Sequence, residues 1–336
     1  MIIDCHGHYT TVPVEFEQYR QAQLGDLNNL SKGTIKVSDE QVRESLEGAQ
    51  LKLQRERGTD LTFFSPRASA MAHHLGNPTA NMYWAEHWND MIHRVCTMYP
   101  KNFVGVGMLP QFPGIEPKTC IPELERCVNE LGFVGINLNP DPSGGMWTGP
   151  PLTDRWWYPV YEKLEELDCP AMIHVSQSCN PNFHFTGAHY INADTTAFVQ
   201  LLMSKLFDDF PTLKFLIPHG GGAAPYHWGR YRGLAQDNNW MPVPELLRNV
   251  YFDTCVYHYP GIRLLFEVVP LDNILFASEM VGAVRGIDPE TGHYYDDTRR
   301  YIDALPDLPE AGRQKVFEGN ALKVFSRARS FLPPSD

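Results

Sequence analysis

Two histidines separated by a single glycine, His6 and His8, follow an apolar run at the start of the chain. Residues 2–8 are predicted to form a first β-strand, in which side chains two positions apart share one face with their Cα atoms about 7 Å apart. Two neutral imidazoles at that spacing can bind one metal ion. A short His-x-His motif is by itself more often a pair of solvated or buried histidines, so the metal hypothesis depends on other ligand-type residues.

Further residues of metal-ligand type stand at the ends of later apolar runs. His174 ends the fifth run, His219 follows the sixth and Glu279 follows the eighth. If these runs are parallel strands of one barrel, their carboxyl ends share a single mouth, where barrel enzymes carry their active sites. We therefore predict a metal site with His6, His8 and His174 as ligands. Glu279 is either a fourth ligand or a base beside the ion, and His219 lies just outside the ligands.

The predicted donor set indicates which ion the site would hold. Three histidines and a carboxylate suit a borderline divalent ion, so we expect one Zn2+ per subunit, with Mn2+ or Fe2+ as alternatives. Asp4 lies one alternate step before His6, and by strand alternation its side chain would also face the barrel interior. It could orient a ligand, although a buried structural acid is an equally consistent interpretation.

Eight short apolar, β-rich runs recur along the chain, with helical patterns between them. The runs are residues 2–8, 61–65, 103–109, 133–138, 171–175, 214–218, 250–255 and 273–277. Alternation of strands and helices predicts parallel strands with helices packed outside. Eight such units predict an α/β fold of the (β/α)8 TIM-barrel class, distorted, as a single domain over residues 1–328. An open doubly wound sheet is the alternative, but the first turn lacks a Gly-x-Gly-x-x-Gly fingerprint.

Helices and loops are predicted between these strands. The predicted helices cover residues 80–99, 117–130, 156–167, 195–210 and 261–268, with a helical pattern at 298–327. Residues 21–57 are expected to be an insertion at the barrel mouth, with a helix near 39–55. Residues 139–155 are rich in proline and glycine, which predicts a shaped loop. Residues 329–336 are expected to be a flexible tail.

Composition excludes several classes of function. Of 336 residues, 43% are hydrophobic and 20% are charged, which is typical of a globular protein with a large core. A net charge of −12 would repel nucleic acid and anionic membranes, and no local basic patch offsets it. The seven cysteines are odd in number and scattered, so a disulfide framework is not expected. No run of about 18 apolar residues predicts a membrane span, and a cytoplasmic location is the default.

Blocks of sequence around these residues resemble the metal-dependent amidohydrolase superfamily, in its branch of decarboxylases and hydratases, over essentially the whole chain. Residues 4–11, 65–69, 137–145 and 277–280 are similar to the 4-oxalomesaconate hydratases, whereas the block at 218–230 is shared more widely in the branch. An aspartate usually occupies the position of Glu279 in that branch. The glutamate found here therefore favours the hydratases over the decarboxylases.

The resemblance implies a zinc-dependent hydratase that adds water to the C=C bond of 4-oxalomesaconate, giving 4-carboxy-4-hydroxy-2-oxoadipate in protocatechuate or gallate catabolism. Zinc makes water available as a nucleophile at neutral pH once a base takes its proton, and Glu279 is the candidate base. His219 is the candidate proton donor or oxyanion partner. Weaker candidates for that role are Tyr190, Tyr257, His184 and His189.

A substrate with three carboxylates would need arginines in a protein of this net charge. Arg67 follows the second strand, Arg285 follows the eighth, and Arg230 ends the glycine-rich block after the sixth. In the related decarboxylases the arginine matching Arg230 enters a neighbouring subunit's site, which implies a homodimer, although an ordinary surface ion pair is equally consistent. Tyr190 is a further candidate for binding substrate. Backbone amides at 143–145 or 220–222 could also bind a carboxylate.

Three other functions remain open. The first is non-oxidative decarboxylation of an aromatic or muconate-type acid on the same metal site. The second is hydrolysis of an ester, lactone or amide at a mononuclear metal site. A binuclear hydrolase of the superfamily would carry a bridging lysine on the fourth strand, where Asn137 stands. The third is a barrel that binds a metabolite without catalysis, since the fold alone does not determine function.

Overall fold

Eight parallel strands form the centre of the fold, as predicted. A computed structural model describes residues 1–184 and 186–332. The strands are β1 (Ile3–Tyr9), β2 (Leu61–Pro66), β3 (Phe103–Met108), β4 (Gly135–Leu138), β5 (Ala171–Ile173), β6 (Phe215–Ile217), β7 (Val250–Asp253) and β8 (Ile274–Leu275). Each strand pairs in parallel with the next one along the chain.

Backbone hydrogen bonds also join the two ends of the sheet. The N–H of Cys5 donates to the carbonyl of Phe276 (2.9 Å), and the N–H of Glu279 donates to the carbonyl of His6 (2.9 Å). Because β8 is only two residues long, this contact falls mainly on the residues that follow it. The sheet therefore curls into a distorted TIM barrel, and this confirms the predicted fold class.

Helices surround the sheet. Within the described residues the α-helices are α1 (Glu15–Gly25), α2 (Asp39–Glu47), α3 (Gln50–Arg57), α4 (Ala68–Met71), α5 (Pro78–Met98), α6 (Ile121–Asn129), α7 (Tyr158–Glu166), α8 (Gly187–Leu202), α9 (Leu206–Asp209), α10 (Trp228–Asn238), α11 (Val243–Leu246), α12 (Tyr259–Val268), α13 (Thr298–Asp303), α14 (Glu310–Gln314) and α15 (Asn320–Val324). Most lie between consecutive strands, as the βα alternation predicts.

Apolar side chains fill one end of the barrel. Ile3, Leu61 and Val104, near the starts of their strands, are buried in one cluster with residues of α15. The ring of Phe63 packs edge-on against Phe325, with ring centroids 4.8 Å apart. Burial of one such ring contributes about 1.5–3 kcal/mol of hydrophobic stabilisation. This packed end leaves the carboxyl ends of the strands as the open, polar end of the barrel.

The first strand contains an irregularity next to Asp4, a residue for which the sequence left two roles open. Its pairing with β2 shifts register between Asp4 and Gly7, so an extra residue interrupts the simple alternation. The carboxylate of Asp4 accepts the N–H of His6 (3.1 Å) and the N–H of Ser278 (3.1 Å). Asp4 is therefore a buried structural acid that ties β1 to the segment after β8, and within residues 1–184 and 186–332 its carboxylate forms no hydrogen bond with a histidine ring.

Two predicted helices differ from the observed ones. The helix predicted at 195–210 begins earlier, at Gly187, because Tyr190 and Ala193 continue its buried face towards the amino terminus; the chain then breaks before the short helix α9. The helix predicted near 39–55 is two helices, α2 and α3, because Ala49 has a non-helical backbone (φ −133°, ψ −98°).

Three features concern the periphery and the cysteines. Gln50, the first residue of α3, donates a hydrogen bond to the carbonyl of His8 (3.2 Å), so the segment before β2 reaches the end of β1. All seven cysteines are unpaired. The predicted tail, 329–336, begins within a short 3-10 helix, Ser326–Phe331, and its residues 333–336 lie outside the described residues. Among the described residues, no helix is long and apolar enough to cross a membrane.

Candidate active site

The carboxyl ends of the strands bring four buried histidines together. His6 and His8 lie on β1, His174 follows β5 and His219 follows β6. The Nε2 atom of His8 lies 2.9 Å from Nε2 of His6 and 3.3 Å from Nε2 of His174. The rings of His6 and His219 have centroids 5.4 Å apart. The structure therefore places the predicted histidines in a single cluster.

The hydrogen bonds of three of these rings fix their tautomers. In each, Nδ1 faces an acceptor and so carries the proton, which leaves a lone pair on Nε2. The acceptors are Asp253 Oδ2 for His6 (2.7 Å), Ser65 Oγ for His8 (2.7 Å) and the carbonyl of Val175 for His174 (2.7 Å). The Nε2 lone pairs therefore point at one another at close range. A cation between them would turn this repulsion into attraction, so the cluster fits a divalent ion.

Burial keeps two of the rings neutral. It lowers the pKa of His8 and of His174 well below the usual value, and the neighbouring histidines lower each pKa further. A neutral imidazole is the form that binds a metal ion. The protonation states of His8 and His174 therefore suit metal ligands.

His219 has a different environment. Its Nδ1 lies 2.8 Å from Asp194 Oδ2, while its buried Nε2 has no hydrogen-bond partner among the described residues and lies 3.9 Å from Glu279 Oε2. Burial alone lowers the pKa of His219, but the charge and hydrogen bond of Asp194, together with Glu279 and Asp253, outweigh burial and raise it to about 9. In the absence of a nearby cation, His219 is thus a protonated imidazole beside a carboxylate.

Glu279 is held beside the histidines by its backbone and by a tyrosine. Its backbone is left-handed (φ 49°), its N–H is bonded to β1 as described above, and Tyr257 donates its hydroxyl to Oε2 (2.6 Å). Ligand atoms of His6, His174, His219 and Glu279 all lie within 4.8 Å of one another. His219 therefore lies as close to Glu279 and the other histidines as the predicted ligands do. The geometry fits an ion held by the predicted His6, His8 and His174, and it also fits one in which His219 replaces His8.

A cavity of about 340 Å³ opens beside the cluster. Arg67, Arg285 and Tyr190 line it together with His8 and Glu279. The hydroxyl of Tyr190 is buried without a hydrogen-bond partner among the described residues, and burial raises its pKa above the usual range. The cavity thus combines cationic side chains with the histidine cluster, as an anionic substrate would require.

Some of the residues predicted for the site do not reach this cavity. Arg230 lies on the exposed first turn of α10 and is not among the residues that line it. His189 is buried near Phe183, with ring centroids 5.8 Å apart, and does not line it either. His184 is outside the lining as well, and its Nδ1 accepts the N–H of Gly187 (3.0 Å).

The backbone amides proposed to bind a carboxylate are already bonded. Asp141 Oδ1 accepts the N–H of Ser143 (3.0 Å), and Oδ2 accepts that of Gly145 (2.7 Å). In the other turn, the N–H of Gly220 donates to Asp253 Oδ1 (3.0 Å). Because these N–H groups are bonded within the chain, the structure favours a structural role for the two turns over binding of a substrate carboxylate.

Three residues of the site were missed by the sequence analysis. Asp253 orients His6, Asp194 orients His219 and Ser65 orients His8. Asp253 ends β7, and an acid at a strand end could have been recognised by the rule used for Glu279. Asp194 lies on α8, and its only signal is an acid on the buried face of a helix.

A family profile and a curated protein both match nearly the whole chain. A profile of the amidohydrolase family matches residues 3–327. The chain is 58% identical over 330 residues to the 2-keto-4-carboxy-3-hexenedioate hydratase of Sphingobium sp. strain SYK-6. The aligned region covers 97% of this chain and 96% of that protein.

Two solved structures resemble this one. The 4-oxalomesaconate hydratase of Rhodopseudomonas palustris matches with a TM-score of 0.91 and 55% identity, over 98% of this chain and 97% of that one. A 5-carboxyvanillate decarboxylase of Novosphingobium aromaticivorans, solved with bound manganese, matches with a TM-score of 0.70 and 20% identity, over 97% of each chain. At 20% identity the second likeness shows the fold alone.

Proposed function

Since the chain belongs to the amidohydrolase family, we propose that it is a metal-dependent hydratase that adds water to the C=C bond of 4-oxalomesaconate, giving 4-carboxy-4-hydroxy-2-oxoadipate in protocatechuate or gallate catabolism. The observation that carries the proposal is the pair His219 and Glu279, an acid and a base 3.9 Å apart at the histidine cluster. Hydration needs both, because one proton leaves water and another is added to carbon. The 58% identity to a hydratase supports the same reaction.

The histidine cluster would hold the metal ion. His6, His8 and His174 offer Nε2 lone pairs, and Glu279 offers a carboxylate oxygen; we propose Zn2+, with Mn2+ or Fe2+ as alternatives. When bound, the ion would act as a Lewis acid and lower the pKa of water at the site towards about 7. Asp253 and Ser65 support it by fixing the tautomers of His6 and His8.

The acid and base have separate tasks in this reaction. Glu279 takes the proton of the attacking water, and the hydroxyl of Tyr257 holds that carboxylate in place. His219, oriented by Asp194, stabilises the enolate that forms and donates a proton to the neighbouring carbon. Both residues then exchange protons with solvent before the next turnover.

Arginines would bind the three carboxylates of the substrate. Arg67 and Arg285 line the cavity. Tyr190 lines it too, and its hydroxyl has no hydrogen-bond partner among the described residues. Arg230 is exposed on α10 and outside the cavity of its own chain, so we propose that it enters the site of a second subunit in a homodimer. Seven unpaired cysteines suit a reducing compartment, and we propose a cytoplasmic location.

The alternative reactions use the site less completely. Decarboxylation needs a proton donor for the new C–H bond but no base to activate water, so it leaves Glu279 without that task. Hydrolysis at a binuclear centre would need a bridging group on β4. Asn137 stands there instead, and its amide donates to Ser65 Oγ (3.1 Å), which orients His8.

One assay tests the proposal directly. With purified protein of measured metal content, we expect loss of the ultraviolet absorbance of the conjugated substrate and an NMR spectrum of the hydrated product. Replacing His6 or His174 with alanine should lower metal content and rate together, because each removes one ligand. Release of carbon dioxide from aromatic or muconate-type acids, without hydration, would contradict the proposal.

A further inference from the structure

The segment after β8 adopts a backbone conformation that its residues disfavour. Glu279 (φ 49°) and Val281 (φ 60°) are both left-handed, and Val281 is β-branched. Gly282 closes the turn by donating its N–H to the carbonyl of Glu279 (2.9 Å), and a Cβ at that position would lie 2.5 Å from the same oxygen. Such a turn persists only where other contacts hold it.

Val281 is held at both of its backbone polar groups. Its N–H donates to Asp296 Oδ2 (3.0 Å), and its carbonyl accepts the hydroxyl of Thr10 (2.6 Å). Residues 279–296 leave the barrel after β8 and return to it as a hairpin-like excursion, in which Ile287 and Tyr294 form an antiparallel bridge. Asp296 is the last residue of this excursion. The restraint on Val281 therefore comes from residues that lie outside the turn itself.

Asp296 is in turn fixed by a buried ion pair. Its Oδ1 lies 2.7 Å from Nη2 of Arg57, and its backbone carbonyl accepts Nη1 of the same guanidinium (3.1 Å). The two side chains are 2% and 7% exposed. Arg57 ends α3, so a helix of the segment before β2 braces the excursion that carries Glu279 and Arg285.

We propose that Asp296 is a positioning residue for Glu279: it holds Val281 in the left-handed turn, and so aims the Glu279 carboxylate at the histidine cluster. The guanidinium of Arg57 holds the Asp296 carboxylate in place. The inference rests on the proposed function only in taking Glu279 as a metal ligand. It also assigns a role to α3, namely to brace the site from outside the barrel.

Replacement of Asp296 with asparagine tests the proposal. Arg57 and Val281 donate to different oxygens of the carboxylate, and the amide of asparagine replaces one of these oxygens with an NH2 group, so one of the two donors loses its partner. We expect the Zn2+ dissociation constant, measured by chelator competition, to rise about 10- to 100-fold, and kcat to fall by a similar factor with little change in KM.

Glu123→Gln is the matched control. Glu123 is 3% exposed and forms a bidentate pair with Arg126 on α6, far from the segment after β8. Both E123Q and D296N weaken a buried ion pair, so we expect both variants to have a lower melting temperature. E123Q should nevertheless leave the Zn2+ dissociation constant and kcat unchanged. If D296N also changes only the melting temperature, Asp296 supports the fold alone and the proposal is overturned.

Thr10→Val provides a second test that holds even if D296N does not fold. It removes the other tether of Val281 with almost no change in volume, and we expect weaker Zn2+ binding, by a factor of about 3 to 10. Unchanged Zn2+ affinity in T10V would overturn the proposal. Because Zn2+ affinity is measured without substrate, an absence of hydratase activity in the unmodified protein would contradict the proposed function and leave this test intact.

Discussion

At the scale of single residues, the two groups proposed for proton transfer share an unusual backbone. His219 (φ 52°) and Glu279 (φ 49°) are both left-handed, a conformation that costs a non-glycine residue roughly 1–2 kcal/mol. Each is held there by bonds to distant parts of the chain, His219 by Asp194 and Glu279 by β1 and Tyr257. Strained backbone that other contacts hold in place is concentrated at functional sites. The backbone conformation therefore supports the proposed roles of His219 and Glu279 in proton transfer.

Replacing Glu279 with glutamine should remove the base while preserving the fold. Glutamine has nearly the same size, and its amide oxygen can still accept the hydroxyl of Tyr257, but it cannot take a proton. We expect kcat to fall by about 10²- to 10⁴-fold with an unchanged melting temperature. Glu290→Gln, an exposed acid in the same excursion, should retain full activity. Turnover close to normal in E279Q would exclude Glu279 as the base.

Residue types at strand ends were enough to predict the members of the histidine cluster but not their partners. His6, His174 and His219 each end an apolar run, which is a local signal. Asp253 bonds to His6 from 247 positions away, and no local pattern indicates which acid will meet which ring. Donor satisfaction is also invisible in a sequence, which is why the amides at 143–145 looked free although Asp141 occupies them.

At the scale of elements, periodicity located the strands more reliably than the helix ends. Each of the eight predicted runs overlaps an observed strand, because buried parallel strands are continuous apolar runs between turn residues. The start of α8 was predicted too late because its buried face begins among polar residues after a loop. Tertiary packing, rather than local propensity, determines that boundary.

Asp141 should be the main support of the loop between β4 and α7. Its carboxylate accepts two backbone N–H groups and the Ser143 hydroxyl, so Asp141→Ala leaves buried donors without partners. We expect the free energy of unfolding to fall by about 2–4 kcal/mol, with metal content unchanged because no ligand is touched. Urea unfolding and metal analysis measure these effects.

Asp154→Ala is the comparison within the same loop. Asp154 is exposed, and among the described residues its side chain bonds only to the N–H of Trp156 (2.9 Å), so loss of the side chain should cost about 1 kcal/mol or less. Equal losses of stability in the two variants would show that Asp141 has no special role in shaping the loop.

At the scale of the whole molecule, a mixing experiment tests the proposed exchange of Arg230 between subunits. Arg230→Ala and Glu279→Gln should each be nearly inactive alone. If Arg230 acts in the partner's site, equal amounts refolded together form mixed dimers with one complete site, and about one quarter of normal activity should return. A mixture no more active than its components would show that Arg230 does not act in the site of the partner subunit.

Buried histidines should make the protein sensitive to acid. Burial lowers the pKa of His73 to about 3, while an unfolded histidine titrates near 6.5. The native state therefore binds fewer protons, and the contribution of His73 to stability is present above pH 6.5 and is lost as pH falls from 6.5 towards 3. Between pH 7 and pH 5 the loss is about 2 kcal/mol.

His73→Gln isolates that contribution. Glutamine can replace both contacts of the ring, to the carbonyl of Leu109 (3.0 Å) and to the amide of Asn139 (2.9 Å), but it does not titrate. Urea unfolding at pH 7 and pH 5 should show a smaller drop in H73Q than in the unmodified protein. Identical drops would mean that His73 is not responsible for the acid sensitivity.

The backbone hydrogen bond from Glu279 to His6 has a consequence for biosynthesis. His6 and His8 leave the ribosome together with β1, whereas Glu279, the carboxylate proposed to complete the metal site, is translated more than 270 residues later. Premature ion capture by the nascent chain would therefore be incomplete and weak. If the proposed site is right, activity requires the hydrogen bonds that join β1 to the segment after β8, and we expect chains that stop before Glu279 to be inactive.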